Sequence, residues 1–567
     1  MNSETGMNKK PPAAALLYAR DVSCSRAAKG LASAFALAGA ILMSAQQAGH
    51  AQVPPGQTLP SVPNAAAPAP VTSPGTGSSA PAAQSENLPP KRLWFIQPRI
   101  SLSETFTDNI NPVSGIKLAD QITEVTPGIR VEGDTARLKA YADYQMTGYT
   151  YARGTYGNRS QSALNSFGTF EALEKRLYLD FSGTISQQSI SAFAPLVASN
   201  ATPNANRTET SSYRLSPYLR GRFGSEADYE LRYGSTWTDT KSALVSNLVM
   251  QDWSAKVKNS VAKARVGWSV DLSQQNTAYS NGSKTQSERL RGLVSYQLMP
   301  ELKFSLSAGQ ESNDYLALTR TSKMTSGYGV DWTPTERTLI STFSERRAFG
   351  NGYNYSVSHR TPLMAFKFTD SRDVSFQSNQ ATTVGRGTIY DLLFAQLASA
   401  FPDPVVRAQQ VTQLLAQTGI SPATQLTSSA LTSRVTALKR QEFSTVLNGV
   451  RNTVTVSYTR SVQDILGAAA GTGDFALSSS ITQKGLTGNW AYRLTPLSSL
   501  TATALLQESS GSGSATLASR QKSLNLTYTT RVAAQVNLSL GLRTSEFASN
   551  TIAYRENAAI ATLTAKF

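Results

Sequence analysis

The sequence predicts an all-β chain, a transmembrane antiparallel β-barrel of about 22 strands, and three observations carry that expectation. Segments of ten or more residues alternate apolar and polar side chains, short turns alternate with longer polar loops, and aromatic residues sit near the segment ends. A two-residue period places one set of side chains on each face of a strand.

The first residues read as a targeting segment. Arg20, Arg26 and Lys29 precede the small apolar run Gly30 to Met43, and Gly49 and Ala51 supply small residues for cleavage after Ala51. Residues 1–51 are therefore expected to be a signal peptide, too short and too rich in Ala and Gly to serve as a membrane anchor. They contain Cys24, the single cysteine, and His50, one of two histidines. An exported chain without disulfides must be held by backbone pairing or a large core. Residues 52–90 are Pro, Ala, Ser and Gly with almost no charge, a disordered linker.

Alternation begins at Trp94 within the expected barrel, residues 91–567. In "RLKAYADYQMTGY", Leu138, Ala140, Ala142, Tyr144 and Met146 share one face against Lys139, Tyr141, Asp143 and Gln145. The pattern returns at Leu177–Ile185, Leu302–Leu306 and Val536–Leu542. A soluble sandwich also alternates, but these strands exceed the usual length of about five or six residues. Short turns near Gly133, Glu174, Gly224, Asn259, Pro300, Pro334, Pro362, Gly449, Pro496 and Ala533 give 22 strands if both ends of the barrel chain lie on one side, with about 18 to 24 as the range. Trp94, Trp237, Trp253, Trp268, Trp332 and Trp490 are candidates for interfacial girdles. One stretch breaks the pattern: residues 388–419 carry helical spacing, an Asp403–Pro404 start and a Gly419 stop, and are expected to form a helical hairpin between two strands.

The chain has 53 Lys and Arg against 37 Asp and Glu; without the five and two in residues 1–51, 48 against 35 leaves an excess of +13. For an exported chain such an excess points to a membrane surface or an acidic polymer rather than nucleic acid. By parity, a basic pore lining is expected from Arg137, Lys139, Arg214, Arg220, Lys256, Lys258, Arg265, Arg289, Arg291 and Lys303. Basic rings favour anions; the alternative is that these cations pair with lumen carboxylates and stiffen the wall. The residue inventory argues against an enzyme. After cleavage only His359 remains, so no His/Cys metal site forms. Asp228 and Glu230 share a face about 7 Å apart, a spacing that a polar ladder produces by chance. No catalytic residue, metal or cofactor is expected.

The stretches "QPRISLSETFTDNINPV" (Gln97 to Val113) and "YDLLFAQLASAFPDPVVRAQQVTQLL" resemble outer-membrane proteins associated with PEP-CTERM/exosortase systems, a group similar to β-barrel porins. The resemblance runs from about Trp94 to Phe567 and is most specific at "FPDPVVRA". It implies a role near exopolysaccharide export and supplies no catalytic residues.

The expected function is an outer-membrane channel or assembly component of a Gram-negative bacterium, with an anion-preferring porin and a scaffold barrel with a filled lumen as alternatives. Expected partners are outer-membrane lipid and lipopolysaccharide, the insertion machinery, exopolysaccharide and periplasmic export proteins. The closing "ATLTAKF" alternates too, and Leu563, Ala565 and Phe567 are expected to form the assembly signal of a final strand.

Overall fold

A computed structural model describes residues 93–112, 116–259, 265–317, 319–376, 434–467, 473–513 and 517–567, with Arg407, Val411 and Leu431. The expected signal peptide (1–51) and linker (52–90) lie outside the described residues. So does the expected helical insertion 388–419, except that Arg407 and Val411 are helical and Val411 is buried.

Twenty-two strands follow in order. They are β1 (Trp94–Thr107), β2 (Asp120–Asp134), β3 (Leu138–Tyr151), β4 (Arg159–Leu173), β5 (Leu177–Ser189), β6 (Arg207–Phe223), β7 (Ala227–Thr240) and β8 (Leu248–Asn259). Next come β9 (Val266–Tyr279), β10 (Lys284–Met299), β11 (Leu302–Asn313), β12 (Thr321–Thr335), β13 (Thr338–Arg347), β14 (Gly350–Arg360) and β15 (Met364–Ser375). The ring is completed by β16 (Thr436–Asn448), β17 (Asn452–Ile465), β18 (Ser478–Thr495), β19 (Ser498–Gly513), β20 (Ala518–Ala533), β21 (Val536–Ser549) and β22 (Ala553–Lys566). Each pairs antiparallel with its sequence neighbours, and β22 pairs with β1 from Arg99↔Lys566 to Thr107↔Ala558. That last pairing removes both free edges, as a sheet in hydrocarbon requires.

At one end the strands are joined by residues 135–137, 174–176, 224–226, 260–265, 300–301, 336–337, 361–363, 449–451, 496–497 and 534–535. Each of the ten expected turns falls at or within two residues of one of these joins. We call this the turn end. The opposite, loop end carries longer joins, including residues 108–119, 190–206 and 466–477. By the short-turn, long-loop asymmetry of outer-membrane barrels, the turn end faces the periplasm and the loop end the exterior.

Alternation sets the two faces. Ile100, Leu102, Leu272, Leu306, Tyr328, Leu542 and Leu563 point outward and are more than 40 % exposed, which is an apolar exterior suited to lipid. Among the described residues no helix is long and apolar enough to cross a membrane, a statement that does not concern strands. Trp94, Trp268, Trp332 and Trp490 lie on the exterior toward the turn end, Trp253 mid-strand and Trp237 toward the loop end. Two prolines mark interruptions of the ladder: pairing of β2 with β3 skips Thr126 and Pro127, and pairing of β6 with β7 skips Ser216 and Pro217. Proline has no N–H to donate there.

Candidate functional site: the lumen wall and its mouth

The inward face is polar, and its character changes around the ring. From β1 through β16 the lumen carries ionised side chains, and nearly every cation meets a carboxylate. Arg99 donates to Asp143 (3.0 Å), Arg214 chelates Asp252 with two bonds of 2.8 Å, and Arg232 reaches both Asp180 (2.8 Å) and Glu230 (3.2 Å). Lys303 meets Asp331 at 2.8 Å and Arg291 meets Asp271 at 3.0 Å. Arg289–Glu345 and Arg130–Glu132 are also paired. Arg543 and Glu556, on β21 and β22, are 6 % and 0 % exposed and bond at 2.7 Å.

Gly234 makes room for one of these pairs. A Cβ at this lumen-facing position of β7 would land on the Arg214 guanidinium and the Asp252 carboxylate. The pairs are layered with aromatic rings. Tyr178 and Tyr218 stack at 5.1 Å with Arg220 4.1 Å over the first and Arg232 3.9 Å over the second, a cation–π arrangement that fixes both arginines against the wall.

Of the ten expected pore-lining cations, Arg214, Lys256, Arg289, Arg291 and Lys303 form ion pairs. Arg220 donates to the Tyr178 hydroxyl at 2.7 Å, and Lys139 has a partner as well. Arg137, Lys258 and Arg265 sit at the turn-end rim. The lumen is therefore not a set of free basic rings: it is a ladder of neutralised pairs. Asp228 and Glu230 are held by Arg222 (3.0 Å) and Arg232 rather than facing each other as an acid and a base. His359 points outward near the turn end, its Nδ1 2.9 Å from the Thr338 hydroxyl.

Strands β17 to β20 differ. Their inward positions hold Thr455, Ser457, Gln463, Gln483, Thr487, Asn489, Thr501, Thr503, Gln507, Ser519, Gln521 and Asn525. Between Thr453 and Thr529 no inward side chain of these strands is ionised except Arg493, at the turn end. Asn489 donates to Thr503 at 2.8 Å. Thr487, Asn489 and Gln507 are each 2 % exposed, so this wall does not face an open aqueous pore in this state.

The mouth explains part of that closure. Ser191 lies two residues beyond the end of β5, yet its hydroxyl donates to Asp474 (2.6 Å), which also accepts from the Ala192 N–H (2.7 Å). Asp474 sits between β17 and β18. Around the ring β5 and β18 are nine strand steps apart, about 43 Å at ~4.8 Å per step. The loop end is therefore pinched, and residues 190–206 form a strap over the inner wall. Phe193 packs with Ala192, Phe475 and Ile481; Leu196 and Val197 pack on Phe547 and Tyr554; Ala201 joins Ile110, Ile122, Tyr149 and Tyr151. Gln521 and Ser519 donate to Leu196 and Ala192 carbonyls, at 3.3 and 2.7 Å. Burial pushes the Asp474 carboxyl above the usual carboxylate range, with the bonds from Ser191 and Ala192 pulling the other way. Tyr315, after β11, contacts Phe376, after β15, at 5.3 Å, and its carbonyl crowds Gly467, after β17, a residue with φ of 86°. Several loop-end joins thus converge over the mouth.

The strap was not expected from alternation. Its one sequence signal is "SAFAPLVAS" (Ser191 to Ser199), an apolar stretch in a join between two alternating segments, which has to bury against something.

No family model matches this chain, and no curated protein matches it. Among solved structures it is similar to the ferric enterobactin receptor of Pseudomonas aeruginosa, at 10 % identity and a TM-score of 0.44 over 83 % of this chain and 80 % of that one. It is likewise similar to the FrpB iron transporter of Neisseria meningitidis, at 9 % identity and a TM-score of 0.44 over 83 % and 82 %. The siderophore receptor PirA of Pseudomonas aeruginosa follows at 10 % identity and a TM-score of 0.35.

Proposed function

We propose that the chain is an outer-membrane β-barrel transporter of a Gram-negative bacterium that rests with its mouth closed and passes a neutral, hydroxyl-rich chain, as in exopolysaccharide export. The observation that carries the cargo class is the wall of β17–β20, which offers hydroxyl and amide groups across four strands with no charge above its turn end. A sugar polymer makes many weak hydrogen bonds to such a surface, and weak multiple contacts permit passage where strong ones would stall it. The pairing of Arg214, Arg289, Arg291 and Lys303 speaks against an anion-preferring porin, because a neutralised cation attracts no ion. An association with PEP-CTERM systems is supported by the sequence resemblance of residues 97–113 and 388–419 alone. A second reading, a scaffold barrel with a filled lumen, is favoured by the near-complete burial of Thr487, Asn489 and Gln507.

Planar-bilayer conductance separates the three. The closed transporter gives little current as wild type and a larger, dextran-blockable current in Asp474→Ala, which removes the acceptor that ties down Ser191 and Ala192. A large, steady, anion-selective current in wild type would establish the porin. Silence in both proteins would establish the scaffold.

A further inference from the structure

Outside the barrel, toward the loop end, the last exposed apolar row of β15–β19 runs Phe368, Phe443, Tyr458, Leu486 and Leu506 through directly paired positions. The next outward row, one step nearer the exterior, runs Asp370, Gln441, Arg460, Lys484 and Glu508. Arg460 and Lys484 are therefore directly opposite each other, and two cations in that relation repel. The acids beside them are already committed. Gln441 donates to Asp370 at 2.8 Å and accepts from Arg460 at 3.5 Å; Glu508 meets Arg520 at 3.3 Å. The Arg460 Nε is buried without a partner, and Lys484 has none among the described residues. Beside Lys484, an open cleft of about 470 Å³ is lined by Thr482, Glu508, Ser510, Arg520 and Asn550.

A like-charged pair at the boundary of the apolar band wants an anion, and at this height the available anions are lipid headgroups. We propose that Arg460 and Lys484 bind a phosphate of an outer-leaflet lipid, of the phosphorylated glucosamine type, whose acyl chains lie along Tyr458, Leu486 and Leu506. The guanidinium and ammonium share one phosphate between them, the cleft takes the sugar, and the row below is the hydrocarbon contact. This rests on the membrane-spanning barrel and its orientation, not on the cargo.

The test titrates the full-length barrel in detergent with bisphosphorylated lipid A, with the same lipid dephosphorylated, and with inorganic phosphate. Wild type is expected to bind the phosphorylated lipid at least tenfold more tightly than the dephosphorylated one, and Arg460→Gln/Lys484→Gln to lose that difference. Lys241→Gln, on the exterior at β7, leaves it intact. Lys484→Glu places an acid opposite Arg460; it is expected to raise the melting temperature of the lipid-free barrel while abolishing lipid binding, so a loss of binding there is not a loss of fold. Equal binding of both lipids by wild type, unchanged preference in the double variant, or displacement by millimolar inorganic phosphate would each overturn the site.

Discussion

The wall of β1–β16 and the wall of β17–β20 are built from the same repeat and differ in what the inward position carries. The first binds itself: Arg214 to Asp252, Arg232 to Asp180 and Glu230, and Arg289 to Glu345 leave no net charge to offer a solute. The second presents hydroxyls and amides whose hydrogen bonds are individually weak and exchangeable. An ion-paired ladder in a low-dielectric wall is stiff, because breaking one pair leaves a buried charge; a neutral ladder imposes no such penalty. The comparison assigns structural work to one wall and solute contact to the other.

The largest expected effect tests the stiff wall. Glu556→Ala strands Arg543 and removes the acceptor used by Thr107 and Tyr554, with an expected loss of about 3–5 kcal/mol in urea unfolding followed by tryptophan fluorescence. A loss below about 1 kcal/mol would mean that water reaches the pair and that the two walls are energetically alike. Next, Gly234→Ala drives a Cβ into the Arg214–Asp252 pair and is expected to cost about 1–3 kcal/mol. Gly488→Ala, whose Cβ meets nothing within 4 Å on the exterior of β18, serves as its control and is expected to be near neutral.

On the neutral wall, Thr503→Val deletes the acceptor of Asn489 and is expected to cost about 1 kcal/mol in the same assay. If it matched Glu556→Ala, the wall would be as rigid as its neighbour and unsuited to a sliding cargo. The smallest effect concerns pH at the strap. The Asp474 carboxyl is raised in the folded state, so the stability it contributes is fully present below its unfolded value of about 3.9 and is lost as pH rises through the folded value. Closure of the mouth, read as residual conductance, is therefore expected to tighten as pH falls from neutral toward that range. Asp474→Asn should flatten the difference; an unchanged pH profile in Asp474→Asn would show that another group sets it.

Strand number, faces and direction were legible in the sequence because a strand exposed to lipid on one side and to polar groups on the other has a strict period of two. Each turn was legible for a related reason: Gly, Pro, Asn and acidic residues interrupt that period where the chain reverses. The closing contact of β22 with β1 agrees with the alternation of Ala561, Leu563 and Ala565, while the role of Phe567, whose N–H donates to the Pro98 carbonyl at 2.9 Å, as part of an assembly signal remains a proposal. Deleting Phe567 is the measurement for it, with outer-membrane insertion as the readout.

What parity could not supply was partnership. It placed Arg214, Arg289 and Lys303 in the lumen correctly, but whether each meets an acid depends on register between strands, which pairs Lys303 with Asp331 directly across β11 and β12 and brings Arg289 to Glu345 three strands away. The strap was hidden for the same reason at longer range. Ser191 and Asp474 are 283 residues apart in sequence, and only closure of the ring and its pinched mouth bring them together. Local periodicity determined the barrel; long-range closure decided that its cations are neutralised and its mouth is shut.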